Sequence, residues 1–184
     1  MADMNYKIRS IRADEWAAMK KLRLVALQDP VAHLAFMETY EAAKAQPDSF
    51  YQERAVGAAE GAEKAQQIIA EGPDGEWVGT VTVLLEEAGT VDWAGFAVER
   101  KQGHIVGVFV RPEVRGIGLT EVLFDAALEW AWGRGVERVR LIVHEDNERA
   151  RRFYGKVGFV PTGVVVPLSG KADERELEME FERP

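Results

Sequence analysis

Apolar positions recur along this chain in two rhythms. In the first third the spacing is helical. Trp16, Met19, Leu22 and Val25 or Ala26 share one face, which predicts a helix capped by Asp14 and running to about Leu27. A short strand over 7–11 precedes it, and Asp29-Pro30 ends it. The alanine-rich stretch 31–46 reads as partly helical. Asp48 or Ser49 opens a further predicted helix that runs to about Gln67, although Gly57 and Gly61 interrupt it.

The second rhythm is that of strands. Residues 68–71 read as a short strand before the turn Gly72-Pro73-Asp74-Gly75. Residues 77–85 (WVGTVTVLL) are rich in β-branched side chains and predict a longer one. A long connection, 86–102, leads to a strand over 104–110 (HIVGVFV), which Pro112 stops. Residues 119–132 are apolar around most of a helix, with only Glu121, Asp125 and Glu129 as a polar stripe, so this helix is expected against a sheet. Residues 139–143 (VRLIV) predict a strand. Residues 147–157 predict a helix with Ala150, Phe153 and Val157 inward, Gly158 as its left-handed stop and Phe159 as its hydrophobic clasp. Residues 159–166 and 177–181 close the chain as strands. The order β-α-α-β-β-β-α-β-α-β-β implies a mixed α/β (α+β) layer fold.

Composition narrows the picture. The chain has 184 residues, 23 Lys+Arg against 31 Asp+Glu, a net charge of −8 and no cysteine. That length suits one domain over 1–184 with a core that needs no staples. Disulfide frameworks, thiolate metal sites and cysteine nucleophiles are excluded. His33, His104 and His144 are too scattered to suggest a metal centre. The acidic balance argues against nucleic acid as a partner, and it suits a cationic substrate or simple solubility. The N-terminus (MADMNYKIRSIRADEW) has no apolar core, and no stretch reaches the length of a membrane span. A cytoplasmic protein without a membrane partner is expected.

The chemistry concentrates in Val108–Thr120, VFVRPEVRGIGLT. A strand passes through Arg115-Gly116-Ile117-Gly118-Leu119-Thr120 into the apolar helix. Two glycines let the backbone turn and approach a ligand closely. A helix start offers unpaired N–H groups to a phosphate or pyrophosphate, with Arg115 as a neighbouring cation. The dinucleotide fingerprint fails because Glu121 stands where its third glycine belongs, and no P-loop lysine follows. An ordinary strand-to-helix turn would use the same glycines. Asn147 and Tyr154, seven residues apart, share a helix face, roughly 10 Å apart along the axis. A plain N-cap and a core-edge tyrosine fit the same two positions.

Together, VFVRPEVRGIGLTEVLFDAALEWA and VRLIVHEDNERARRFYGKVGF resemble the GNAT family of N-acetyltransferases. The motif match runs from about His104 to Val160. The resemblance implies a GNAT-like mixed central sheet of six to seven strands flanked by about four helices, with acetyl-CoA bound between two splayed parallel strands and no metal. It also implies that the backbone of Val108, Phe109 and Val110 pairs with the pantetheine arm and that Arg115, Gly116, Ile117, Gly118, Leu119 and Thr120 wrap the pyrophosphate. Asn147 would bond to the arm, Ala150 and Phe153 would pack along it, and Tyr154 would sit near the sulfur. Thr120 departs from the usual Gly or Ala, which narrows the approach unless its hydroxyl caps the helix or bonds a phosphate.

The implied reaction is attack of a primary amine, on a small molecule or a protein, on the thioester. An alkylamine of pKa about 10.4 is only about 0.04% neutral at pH 7, a handicap of about 4–5 kcal/mol. A base must therefore take its proton. A strand N–H suits the oxyanion, and Tyr154 suits the leaving sulfur. His104 stands where some relatives carry a glutamate base, and histidine titrates near neutrality; a strand-end surface histidine fits there equally. Another position used by relatives is Ile142 here. His144, Glu145, Asp92 and Glu99 are further candidates, each read as a solvated loop residue. Trp93, Phe96, Phe36 and Tyr40 are aromatics that would wall the acceptor site, pack in the core or form a homodimer contact. The competing readings are a non-catalytic acyl-CoA-binding regulatory module and an interaction protein that shares only the fold.

Overall fold

The computed structural model describes residues 5–92, 94–168 and 171–184. Trp93 lies outside the described residues. The elements run β1 (Lys7–Ser10), α1 (Trp16–Leu27), α2 (Ala32–Ala35), α3 (Tyr40–Ala45), α4 (Asp48–Ala58), β2 (Ala65–Glu71), β3 (Trp77–Glu86), β4 (Gln102–Val110), α5 (Leu119–Gly133), β5 (Arg138–His144), α6 (Glu148–Val157), β6 (Val160–Leu168) and β7 (Lys171–Glu182). The strands form one seven-stranded sheet in the order β1-β2-β3-β4-β5-β7-β6. Among the described residues only β4 and β5 pair in parallel.

Alternation along the strands sends side chains into two apolar layers. On one face α5 buries Leu119, Leu123, Phe124, Ala127, Leu128 and Ala131 against Val81, Val83, Ile105 and Leu141. The other face holds Met19, Leu22 and Ala26 of α1 and Tyr51 and Ala55 of α4 against Ile69, Trp77 and Phe109. Phe109 and Val110, neighbours on β4, thus serve opposite layers. No helix among the described residues is long and apolar enough to cross a membrane.

Several boundaries differ from the sequence reading. Glu15, not Asp14, is the residue before α1. Its carboxylate accepts from the Arg12 N–H at 2.7 Å and pairs with Arg9. Helix α4 stops at Ala58, and Gln66 and Gln67 belong to β2. Gly61 takes a left-handed φ of +87° after the helix end, so the glycines mark a stop where the sequence suggested only a weakened helix. Strand β7 begins well before Leu177. The stretch 31–46 resolves into two short helices, α2 and α3.

Helix α6 ends as expected. Gly158 has φ +127° and donates to Tyr154 O at 3.2 Å, and Phe159 is buried behind it. A Cβ at Gly158 would meet Phe181 Cε2 at 2.5 Å, so glycine is required there twice over.

A buried ionic cluster joins the paired ends of β4, β5 and β7. Arg140, 3% exposed, bonds both Glu86 oxygens at 2.9 Å, Asp92 at 2.8 Å and Glu178 at 2.9 Å. Arg138 shares Glu178 at 2.8 Å and bonds Gln102 and Glu180. Asp92 also accepts from the N–H groups of Ala94 and Phe96, both at 2.9 Å. It therefore ties the 87–101 connection to the sheet and is not a solvated loop residue.

Candidate active site

Strands β4 and β5 pair only at Gly103–Val139, His104–Arg140 and Ile105–Leu141. Beyond Ile105 they part, leaving a cleft between the rest of β4 and the end of β5. A bulge in β4 aims this free stretch. Thr82 pairs with Val106 and Thr80 with Phe109, so Gly107 and Val108 face a single residue of β3. Gly107 takes φ +63° to make the extra turn. The carbonyl of Val110 is not free, because Arg115 Nε donates to it at 2.9 Å.

The cleft opens into a cavity of about 500 Å³. Its floor includes His104–Phe109 of β4 and Leu141, Ile142 and Val143 of β5, with Asn147, Tyr154 and Glu176 at one side. Val110, Ala150, Phe153 and the Arg115–Thr120 turn lie outside this lining. Ala150 and Phe153 pack on the core, and Phe153 meets Phe124 edge-on at 5.5 Å.

The turn itself has the expected backbone. Gly116 and Gly118 take φ +80° and +86°, and a Cβ on either would meet nothing within 4 Å. Packing within the protein therefore does not demand these glycines. They hold a left-handed path and keep the ground before α5 open, which fits an anion at the N–H groups of that helix start. Gly118 is the residue before α5, and no side chain caps it, so the Thr120 hydroxyl does not act as a cap. Arg115 is held at two of its three guanidinium nitrogens by the protein itself. Its Nη2 pairs with Asp29 Oδ2 at 2.8 Å, fastening the turn to the end of α1. Asn147 caps α6 through Oδ1, which accepts from the Ala150 N–H at 3.3 Å, and its Nδ2 remains available to the cleft.

Two cavity side chains are set for opposite proton roles. Burial raises the Tyr154 hydroxyl above its usual range, and the nearby Glu176 carboxylate adds to the effect. The phenol thus stays protonated at neutral pH. Glu176 on β7 stands opposite His144 of β5 in the sheet register. Burial pushes its carboxyl up to about 7; the neighbouring His144 opposes this and Glu174 reinforces it. The sequence reading missed Glu176 because it began this strand at Leu177.

The histidines are placed differently. His144 is 1% exposed and accepts the Asp146 N–H on Nδ1 at 3.0 Å, which puts its proton on Nε2, 3.8 Å from Glu174. It is a buried strand-end residue and not a solvated one. His104 is 2% exposed and lines the cavity, so it is not a surface histidine. Its Nδ1 stands 3.5 Å from Glu86 Oε2 without a hydrogen-bond partner. Burial works to raise the Glu86 carboxyl, but His104, Arg140 and Gln102 outweigh it and hold Glu86 at about 2. Phe36 is on the cavity wall, whereas Tyr40 and Phe96 are not part of it.

Comparison with known proteins agrees with this architecture. An uncharacterized N-acetyltransferase of Archaeoglobus fulgidus is 41% identical over 81 residues, which is 44% of this chain and 51% of that protein; the chain thus spans about half its relative's length. An acetyltransferase of the GNAT family from Streptococcus pneumoniae superposes with a TM-score of 0.71 at 18% identity, covering 96% of this chain and 99% of that one. The PaiA N-acetyltransferase of Thermoplasma acidophilum, solved in complex with coenzyme A, gives 0.69 at 16% identity, covering 97% and 99%. At such identities these two likenesses speak for the fold. The description "Acetyltransferase (GNAT) family" matches residues 16–159, a span that takes in α1, the splayed strands, the glycine turn and α6, and on that match the chain belongs to the GNAT acetyltransferase family.

Proposed function

We propose that this protein is an acetyl-CoA-dependent N-acetyltransferase that acetylates a primary amine directly. The observation that carries the reading is the meeting of Tyr154, Glu176 and the unpaired stretch of β4 in one cavity. Bound there, acetyl-CoA supplies an acetyl group activated as a thioester and departs as a thiol. The open ground at Gly116 and Gly118 fits its diphosphate, and the free Asn147 amide and the β5-facing edge of Val106–Phe109 fit its extended arm.

The chain's own groups would then act on protons and charge. The Glu176 carboxylate takes a proton from the acceptor ammonium, since a carboxyl at about 7 is ionised in half the molecules at neutrality. A backbone N–H on the β4 edge donates to the oxygen that gains negative charge. As the C–N bond forms and the C–S bond breaks, the Tyr154 hydroxyl gives its proton to the departing sulfur and is restored, through solvent, by the second proton that the acylated nitrogen sheds. Glu176 replaces His104 as our choice of base because His104 sits against Glu86 beside the ionic cluster, at the paired end of the strands. Ala150 and Phe153 would act indirectly, by holding α6 and Tyr154 against the core.

The test is thiol release from acetyl-CoA across a panel of amines, with acetylated product identified by mass. Binding of acetyl-CoA without thiol release on any amine would overturn the catalytic reading.

A further inference from the structure

The wall of the cavity across from Glu176 is built by α1, α4 and the 36–39 connection. Met19, Leu22, Leu34, Phe36 and Met37 make it apolar, and two guanidinium groups, Arg23 and Arg54, stand among them. Arg23 lies over the Phe36 ring at 4.6 Å and pairs with Glu38 at 3.2 Å. Burial still lowers its pKa despite that partner, and the neighbouring Arg54 adds to the lowering. The cation is therefore incompletely compensated. Arg54 stacks on Phe50 at 5.2 Å and has no carboxylate within salt-bridge distance among the described residues.

On the same wall, Lys20 and Tyr51 are already engaged. Lys20 pairs with Asp48 at 3.1 Å and lies over Tyr51. Tyr51 donates its hydroxyl to Ala43 O at 2.6 Å. Two arginines against Glu38 leave this wall with one uncompensated positive charge, in a chain whose net charge is −8. The overall acidity suited a cationic acceptor, but on this wall, across the cavity from the Glu176 carboxylate, the uncompensated charge is positive. A purely cationic polyamine would set its far end against Arg54.

We propose that the acceptor is an amine that carries a carboxylate on an apolar body, with its anion held by Arg23 and Arg54 and its amine directed toward Glu176. The proposal rests on the acetyl-transfer reading for the role of the amine. The claim about the anion stands on the cavity wall alone. Guanidinium is the suitable cation here because its planar fork matches a carboxylate with two parallel hydrogen bonds.

The probes are leucine and 6-aminohexanoate, each as the free acid and as the primary amide. Each is assayed by thiol release and by calorimetric titration into the coenzyme A-saturated protein. The wild-type protein is expected to prefer the acid of at least one pair by about ten- to a hundredfold. In Arg54→Gln that acid-to-amide ratio should fall to within about twofold of unity after correction for amine basicity, and Arg54→Lys should recover part of it. Arg54 is exposed, so its loss does not endanger folding; Arg23→Gln provides the second variant. Equal handling of acid and amide in both pairs, or a preference that persists in both glutamine variants, overturns the proposal. If no probe releases thiol, acetyl transfer fails for these amines, and the titration then decides the anion claim. Tighter binding of the acid supports it, and equal or absent binding refutes it.

Discussion

Glu176→Gln keeps the size and one acceptor oxygen of the side chain but removes its titration. With the carboxyl at about 7 in the folded protein, its ionised fraction is near one half at pH 7 and about 1% at pH 5. The free amine of the substrate also depends on pH, so a single rate profile mixes the two ionisations. The ratio of kcat/KM between wild type and variant cancels the substrate's share. That ratio should sit on a plateau above about pH 8, at about 10²–10⁴ for a general base. It should fall about tenfold per pH unit below 7, losing about a hundredfold by pH 5. The assay is thiol release at saturating acetyl-CoA over pH 5–9, with KD for coenzyme A measured in parallel to show that the cleft is intact. A ratio that is flat across this range, or that stays within threefold of unity, would refute the assignment of Glu176 as base.

Four further outcomes follow from the same geometry. Tyr154→Phe should lower kcat by about a hundredfold with little change in coenzyme A affinity; unchanged turnover removes the phenol from the chemistry. Gly118→Ala should cost about 1–2 kcal/mol of stability for its left-handed backbone and should weaken coenzyme A binding more than tenfold, because the added methyl enters ground left open before α5; calorimetry with unaltered affinity counts against that site. Gly158→Ala combines φ +127° with a 2.5 Å approach to Phe181 and should lose about 2–4 kcal/mol in chemical unfolding, with Phe181→Leu restoring part of it; a loss under 1 kcal/mol would refute the clash. Glu86 has its folded pKa lowered from 4.5 to about 2, so its stabilisation is present above 4.5 and is lost as pH falls through 2. About 3 kcal/mol at pH 6 should shrink to about half by pH 3, measured as the unfolding difference from Glu86→Gln; a difference that does not shrink refutes it.

The readable parts of this molecule were those with local causes. Helix α5 shows its narrow wet stripe, α6 its Asn147 cap and Gly158 stop, and the glycine turn its positive φ, all within a few consecutive residues. What escaped depends on which strand lies beside which. Arg138, Arg140 and His144 alternate on β5, as Glu176, Glu178, Glu180 and Glu182 do on β7, and each set alone reads as a solvated face. Only the antiparallel register, with Arg140 opposite Glu180 and His144 opposite Glu176, turns the two into one ionic surface, buried at Arg140, Glu178 and His144, that ends at a titrating carboxyl. The complementary signs on two strands of matching alternation were the available signal. Likewise Arg115 reads as a cation beside the glycines, and its capture by Asp29 depends on a packing 86 residues away in sequence.

The parting of β4 and β5 gives the sheet an edge in its interior. Outer edges of sheets offer backbone groups to any passing chain and so invite aggregation. Here the equivalent groups of Val106–Phe109 line the cavity, together with side chains of α1 and the Asn147 and Tyr154 side chains at α6. An extended molecule with amides of its own has, on that side of β4, backbone groups that β5 leaves unpaired. Setting the open edge inside the sheet takes it away from the outer rim, where pairing with a neighbouring chain begins.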